Sequence, residues 1–285
     1  MFEIVIIALY LGFASICDMR TREVPDTVSY SLIVLGVTLS LVKSIMVWNF
    51  SALLYSVIGG VAMFLLSVLL YYGGQWGGGD AKLLMGIGVW YGMSFATYPK
   101  LLTFLINLIF AGGIYGILYS FMLIGIHYKK IWPAYKKRLD EKRKVRTIIR
   151  LISFISLVTS FVIWKVLNHP FFILFFLLGA LLFFGYYLSN LLKVLTEQIM
   201  IKKTDVNKLT EGDWIMDSVK KGKKVYFTPR NIGATLEDIS LLKKLKKDKI
   251  VSFVRVKEGI PFIPSFLIAF ILTEVFGNWF FAMLF

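Results

Sequence analysis

The chain has 285 residues, of which 58% are hydrophobic and 16% aromatic, and its mean hydropathy is +0.74. No single aqueous core hides that much apolar surface, which excludes an ordinary soluble domain and predicts an all-α polytopic membrane protein. The net charge of +15 would point to nucleic acid in a soluble chain. Here the cations cluster between apolar runs, so they read as membrane-topology signals, with the lipid bilayer as partner and no nucleic acid.

In chain order, apolar runs suited to crossing a bilayer fall at 2–17, 28–47, 51–72, 81–95, 101–126, 148–167, 171–192 and 262–283. That predicts about eight transmembrane helices, within a range of six to eight, the run at 81–95 being the shortest. The first run has no basic residue ahead of it and ends in Asp18-Met19-Arg20-Thr21-Arg22, so it reads as a retained helix rather than a cleaved signal. Among the 32 Lys and Arg, Lys43, Lys100 and Lys165 fall near one set of span ends. The others, Lys82 aside, gather after Cys17, between 128 and 150, and between 193 and 257. By the positive-inside rule the N-terminus lies outside and those three regions face the cytoplasm.

The expected organisation is a membrane core of five spans (1–126), a basic cytoplasmic loop (127–147), and a two-span hairpin (148–192) broken at Asn168-His169-Pro170. A small cytoplasmic α/β appendage (193–260) and a C-terminal span (261–285) follow. Within the appendage, 224–228 and 250–256 read as strands. Between them Thr235-Leu236-Glu237-Asp238 reads as a helix start, and Leu recurs at helical spacing over 239–247. Together these predict a small β-α-β unit.

The single cysteine, Cys17, excludes an internal disulfide and a thiolate zinc cluster, and reads as a small packing residue. His127 and His169 lie at span ends with no second ligand at metal spacing, so no metal site is expected. A charge near the membrane centre costs about 2.5–3.5 kcal/mol on insertion scales, which makes the acids near the spans informative. They are Glu3, Asp18, Asp80 and Glu274. Glu3 and Glu274 read as interfacial or helix-paired groups. Asp18 and Asp80 differ, because the topology puts both at the cytoplasmic ends of their helices, where they can meet. Gly12, Ala14 and Ser15 on the first span, and Gly86 and Gly88 on the fourth, are small enough for close approach, with Gly59 and Gly60 on the third serving similarly.

Two carboxylates are the raw material of acid–base peptide hydrolysis, one ionised to activate water and the other protonated to polarise the scissile carbonyl. Two negative charges about 4 Å apart repel by about 4 kcal/mol at an effective dielectric near 20, so such a pair shares one proton. Asp80 follows Gly77-Gly78-Gly79, and residues without Cβ let a substrate backbone come close and let the loop adopt positive φ. The same pattern also fits a flexible loop closed by Asp80 as helix cap.

The stretch Gly77-Gly78-Gly79-Asp80-Ala81-Lys82-Leu83-Leu84 resembles the GxGD signature of the type IV prepilin and archaeal preflagellin peptidases. Asp18-Met19-Arg20-Thr21-Arg22-Glu23-Val24-Pro25-Asp26 is similar to that family's first motif, an Asp followed by Arg residues and a hydrophobic-Pro-Asp/Asn. The two motifs stand in the family's order over roughly 2–98, and Glu258-Gly259-Ile260-Pro261-Phe262-Ile263-Pro264 looks like the C-terminal part of archaeal members. The resemblance implies a membrane aspartic endopeptidase that removes short basic leaders from pilin-like or flagellin-like precursors at the cytoplasmic face. Asp18 and Asp80 are then the catalytic pair, Gly77, Gly78 and Gly79 the loop that the substrate approaches, and Glu23 and Asp26 candidate contacts for the leader. It implies no metal or organic cofactor. Bacterial relatives commonly carry a cysteine-rich domain and N-methylate the new terminus; one Cys makes methyl transfer unexpected here.

Two other classes also place acids in membranes. A presenilin-like protease shares GxGD, but its Tyr-Asp pair and Pro-Ala-Leu motif have no counterparts at corresponding places. A transporter or channel would use Asp18 and Asp80 for ions. An inactive assembly subunit would tolerate replacement of both.

Overall fold

The computed structural model describes residues 2–94, 99–222, 224–230 and 233–277. They divide into two compact units, one of 1–118 with 202–285 and the other of 119–201.

In the first unit α1 (Phe2–Thr21), α2 (Asp26–Met46), α3 (Ser51–Tyr72), α4 (Gly78–Tyr91) and the first part of α5 (Lys100–Ile126) are joined by α10 (Ile263–Phe276). Helices gain no hydrophobic drive against each other in lipid, so their association rests on close packing and hydrogen bonds. α4 meets both demands. A Cβ on Gly59 of α3 would overlap the Gly88 carbonyl oxygen of α4, and one on Gly60 would reach Val89 Cγ2 at 2.6 Å. The backbones can therefore run side by side. Ser67 Oγ donates to the Ala81 carbonyl at 2.8 Å, Ser56 Oγ to the Val89 carbonyl at 2.8 Å, and Trp90 Nε1 to the Leu32 carbonyl of α2 at 2.7 Å. The buried core includes Leu11, Leu32, Leu83, Ile87, Phe104 and Phe266, drawn from α1, α2, α4, α5 and α10, with Met63 added by α3.

The glycines thus serve other pairs than the sequence suggested. Gly86 fits against Leu32 and Gly88 against Gly59 and Met63, while Gly12 has open space where a Cβ would stand. α4 is packed by α2 and α3, and the main neighbour of α1 is α10.

Among the described residues six helices are long and apolar enough to cross a membrane: α1, α2, α3, α5, α7 (Arg143–Val162) with its π-helical extension to Leu167, and α8 (Phe172–Leu195) with its extension to Met200. The expected fourth and eighth spans are the 14-residue α4 and α10. Fourteen residues rise about 21 Å, short of the roughly 30 Å hydrocarbon thickness. Part of the expected last span, and Phe95 at the end of the fourth, lie outside the described residues.

In the second unit the expected basic loop is mostly a helix, α6 (Tyr128–Glu141), which buries Ile131, Tyr135 and Leu139 at four-residue spacing. These pack with Val194 and Leu195 of α8. α7 and α8 form a helical hairpin. Asn168, at φ 45, turns the chain, and Ser156 and Ser160 on α7 donate to the Phe175 and Phe172 carbonyls at 2.6 and 2.7 Å.

Of the expected appendage, 193–200 continue α8 in the second unit, and from Lys202 onward it belongs to the first unit. β5 (Phe253–Lys257) is the middle strand of a three-stranded sheet with β1 (Ile201–Asp205) and β2 (Trp214–Ile215), and it pairs antiparallel to β2 with Trp214 opposite Lys257. β3 (Val219–Lys221) and β4 (Lys224–Phe227) form a separate hairpin around Gly222, whose φ of +63 suits glycine. The two strands read from sequence therefore lie in different sheets, and the β-α-β unit is replaced by hairpin, helix and three-stranded sheet around one core. The helix between them, α9 (Leu236–Lys247), starts as expected. Thr235 Oγ1 accepts from Asp238 N at 3.2 Å and Asp238 Oδ2 accepts from Thr235 N at 3.0 Å, a reciprocal capping box.

Candidate active site

Asp18 sits in the last turn of α1. The helix ends because Arg22 takes φ 62 while its N–H still reaches the Asp18 carbonyl at 2.9 Å. Asp18 is only 6% exposed. Burial of that depth demands partners for a carboxylate, and Oδ2 accepts the Ile263 N–H, at the first residue of α10, at 2.9 Å. Arg22 Nη1 donates to the Gly259 carbonyl at 2.6 Å.

Asp80 is the third residue of α4. Gly77 is the N-cap, with extended φ −76 and ψ 162, and its N–H donates to Asp80 Oδ2 at 3.0 Å. The capping role weighed for Asp80 is therefore exercised from the third position, not from the cap itself. Gly77, Gly78 and Gly79 have no positive φ, contrary to the flexible-loop expectation, since two of them already belong to the helix; positive φ falls on Gly74 instead. Gly79 matters for space. A Cβ there would stand 3.3 Å from Val24 Cβ, which is buried in the turn between α1 and α2.

The end of α1 and the start of α4 are brought together through shared neighbours: Val24, in the turn after α1, lies against Gly79, and Trp76, ahead of Gly77, lies against Phe262, whose next residue donates to Asp18. Asp26, at the start of α2, holds Lys82 at 2.6 Å, and Lys82 also lies 5.4 Å from the Tyr30 ring centroid. The lysine two residues after Asp80 thereby ties α4 to α2. Glu23 is exposed in the turn. Of the other acids near spans, Glu3 pairs with Lys43, and Glu274 accepts from Tyr91 at 3.0 Å and pairs with Lys100 at 3.1 Å. Cys17 is a free, half-buried thiol, and His127 Nδ1 lies 3.1 Å from the Leu123 carbonyl. A groove of about 460 Å³ opens between α1 and α2, lined by Leu9, Tyr10, Phe13, Thr27, Val28 and Ser31.

Sequence reasoning missed the surroundings of the start of α10. Trp76, just ahead of Gly77, faces Phe262 and Phe266 with ring centroids 5.6 Å from each. The Ile263 donor is a backbone group and leaves no mark on the residue type, although the stretch around it carried a family resemblance.

Its long apolar helices make this a multi-pass helical protein, with two acids, Asp18 and Asp80, at the end of α1 and the start of α4. Residues 5–117 match the Type IV leader peptidase family. Similar curated relatives are preflagellin peptidases. That of Methanococcus maripaludis is 40% identical over 88 residues, covering 31% of this chain and 38% of the relative. Those of Methanocaldococcus jannaschii and Methanococcus voltae are 32% identical over 88 residues and 35% over 80, covering 31% and 28% of this chain and 37% and 34% of the relatives. The chain thus spans little more than a third of the length of the curated relatives it matches. No solved structure matches it. Asp18 and Asp80 both fall inside the matched segment; α6 to α10 and the sheets lie outside it.

Proposed function

We propose that the chain is a membrane aspartic endopeptidase that removes the leader from preflagellin-like or type IV pilin-like precursors, with Asp18 and Asp80 as the catalytic pair. The observation that supports this reading is that both motif aspartates lie at helix ends joined through the Trp76–Phe262 contact and the Val24–Gly79 approach, within the segment that matches the family. One carboxylate, ionised, takes a proton from water as that water attacks the scissile carbonyl. The other, protonated, donates to the carbonyl oxygen, and the tetrahedral intermediate collapses as a proton passes to the leaving nitrogen.

The Lys and Arg asymmetry supports a site at the cytoplasmic face of the cell membrane with the N-terminus outside. A precursor then presents the junction between its polar leader and its apolar helix. The apolar groove between α1 and α2 lies little more than a helical turn from Asp18 and offers that helix a track. Glu23 is the acid placed to meet a basic leader, since Asp26 is engaged by Lys82. In the appendage, Asp205 and Asp217 are likewise engaged, by Lys246 and Arg255, which hold their carboxyls below the usual range.

The test is incubation of the purified protein with preflagellin-like and pilin-like precursors, followed by mass measurement of the new N-terminus. The reading expects one cut at the leader junction, weakened strongly by reversing the leader's charge. Cuts several turns inside the apolar helix would favour the presenilin-like alternative.

A further inference from the structure

We propose that the start of α10 is a positioning element that holds the two aspartates in register with each other, a role that rests on their catalytic assignment above. Three contacts converge on residues 259–266. The Ile263 N–H donates to Asp18 inside the core. The Gly259 carbonyl accepts from Arg22, in the turn by which the chain leaves α1. Phe262 and Phe266 hold Trp76, whose next residue, Gly77, donates to Asp80. One short segment therefore grips the end of α1 through the backbone and the start of α4 through aromatic rings.

The grip is boxed in. Phe266 is fully buried and continues into Phe104, with centroids 6.1 Å apart. The Phe262 ring lies over the bare Cα of Gly112 on α5, where a Cβ would come within 2.7 Å of a ring carbon. A displaced Phe262 moves Trp76, and with it the residue that holds Asp80, while Asp18 stays with Ile263. The separation of the carboxylates is what changes. The segment lies outside 5–117, so the family match gives it no role.

Adjacent glycines on α5 provide the experiment. Gly113 has no heavy atom within 4 Å of where its Cβ would stand, so Gly113→Ala adds the same methyl to the same helix without touching the ring. In leader cleavage by the full-length protein in detergent, Gly112→Ala should lower kcat about tenfold or more with KM within about twofold, because misplacement of reacting groups by about 1 Å can cost a hundredfold. Gly113→Ala should match the wild type. Trp76→Ala should fall like Gly112→Ala, and Trp76→Phe, which keeps a ring, should recover most of the rate even if Gly112→Ala folds poorly. Equal rates for Gly112→Ala and Gly113→Ala, a loss confined to KM, or no recovery with Trp76→Phe would overturn the positioning role. Full cleavage by Asp18→Asn or Asp80→Asn would instead overturn the catalytic reading beneath it, a result the glycine pair cannot produce.

Discussion

Both aspartates serve as acceptors at helix starts, Asp18 for α10 and Asp80 for α4. A helix N-terminus offers unpaired N–H groups and the positive end of the backbone dipole, so an ionised carboxylate is welcome at either position. Hydrogen bonds to charged groups contribute about 1.5–3 kcal/mol, which keeps both side chains in fixed places before substrate arrives. Under the proposed mechanism their mutual repulsion would work the other way, and a shared proton would make one member an acid and the other a base. Cleavage should therefore fall on both the acid and the alkaline side of an optimum, measured as kcat for a leader peptide across pH at constant ionic strength. A rate that reaches a plateau and does not fall again would speak against a shared proton.

At the scale of elements, α4 is short and yet held along its whole length. Ser67 bonds it beside Asp80, Ser56 bonds its far end, and glycine contacts with α3 close the gap between. Gly59→Ala pushes a methyl into the Gly88 carbonyl, and overpacking of this kind costs about 1–3 kcal/mol. Thermal unfolding in detergent should therefore show a lower midpoint for Gly59→Ala. Gly125→Ala, where a Cβ meets open space, should leave the midpoint unchanged or raise it, since alanine is the better helix former. A midpoint for Gly59→Ala equal to that of the wild type would mean the two helices are not pressed together there. Much of this level was legible in the sequence, and the reasons it failed elsewhere are specific. Asp18 and Asp80 stood out because isolated acids beside apolar runs are costly. The capping box at Thr235 was legible because its side chains make the bonds. α6 was read as a loop because of its lysines, although Ile131, Tyr135 and Leu139 already stood at helical spacing. The partners of Gly86 and Gly88 could not be read, because a glycine shows that something comes close and not what does. The backbone donor at Ile263 was invisible for the same kind of reason.

At the scale of the whole molecule, the charge pattern sets a demand on α4. Between Thr21 and Arg138 lie three long apolar helices, α2, α3 and α5, and an odd number of crossings would put the basic residues after Cys17 and those of α6 on opposite sides. The positive-inside rule is met only if α4, with the residues that follow it, also carries the chain across. Single cysteines at Thr21, Arg138 and Lys221 in a Cys17→Ser background should all be protected from an impermeant reagent in intact cells and react after lysis. Labelling of position 138 but not 21 from outside would mean that α4 turns back. The central claim, that Asp18 and Asp80 together perform the cleavage, is tested most directly by replacing each with its neutral isostere and following the mass of a preflagellin-like precursor. Asp18→Asn and Asp80→Asn should each leave the precursor uncut while the protein inserts and purifies as the wild type does. Release of the leader at the wild-type rate by either variant would contradict the account.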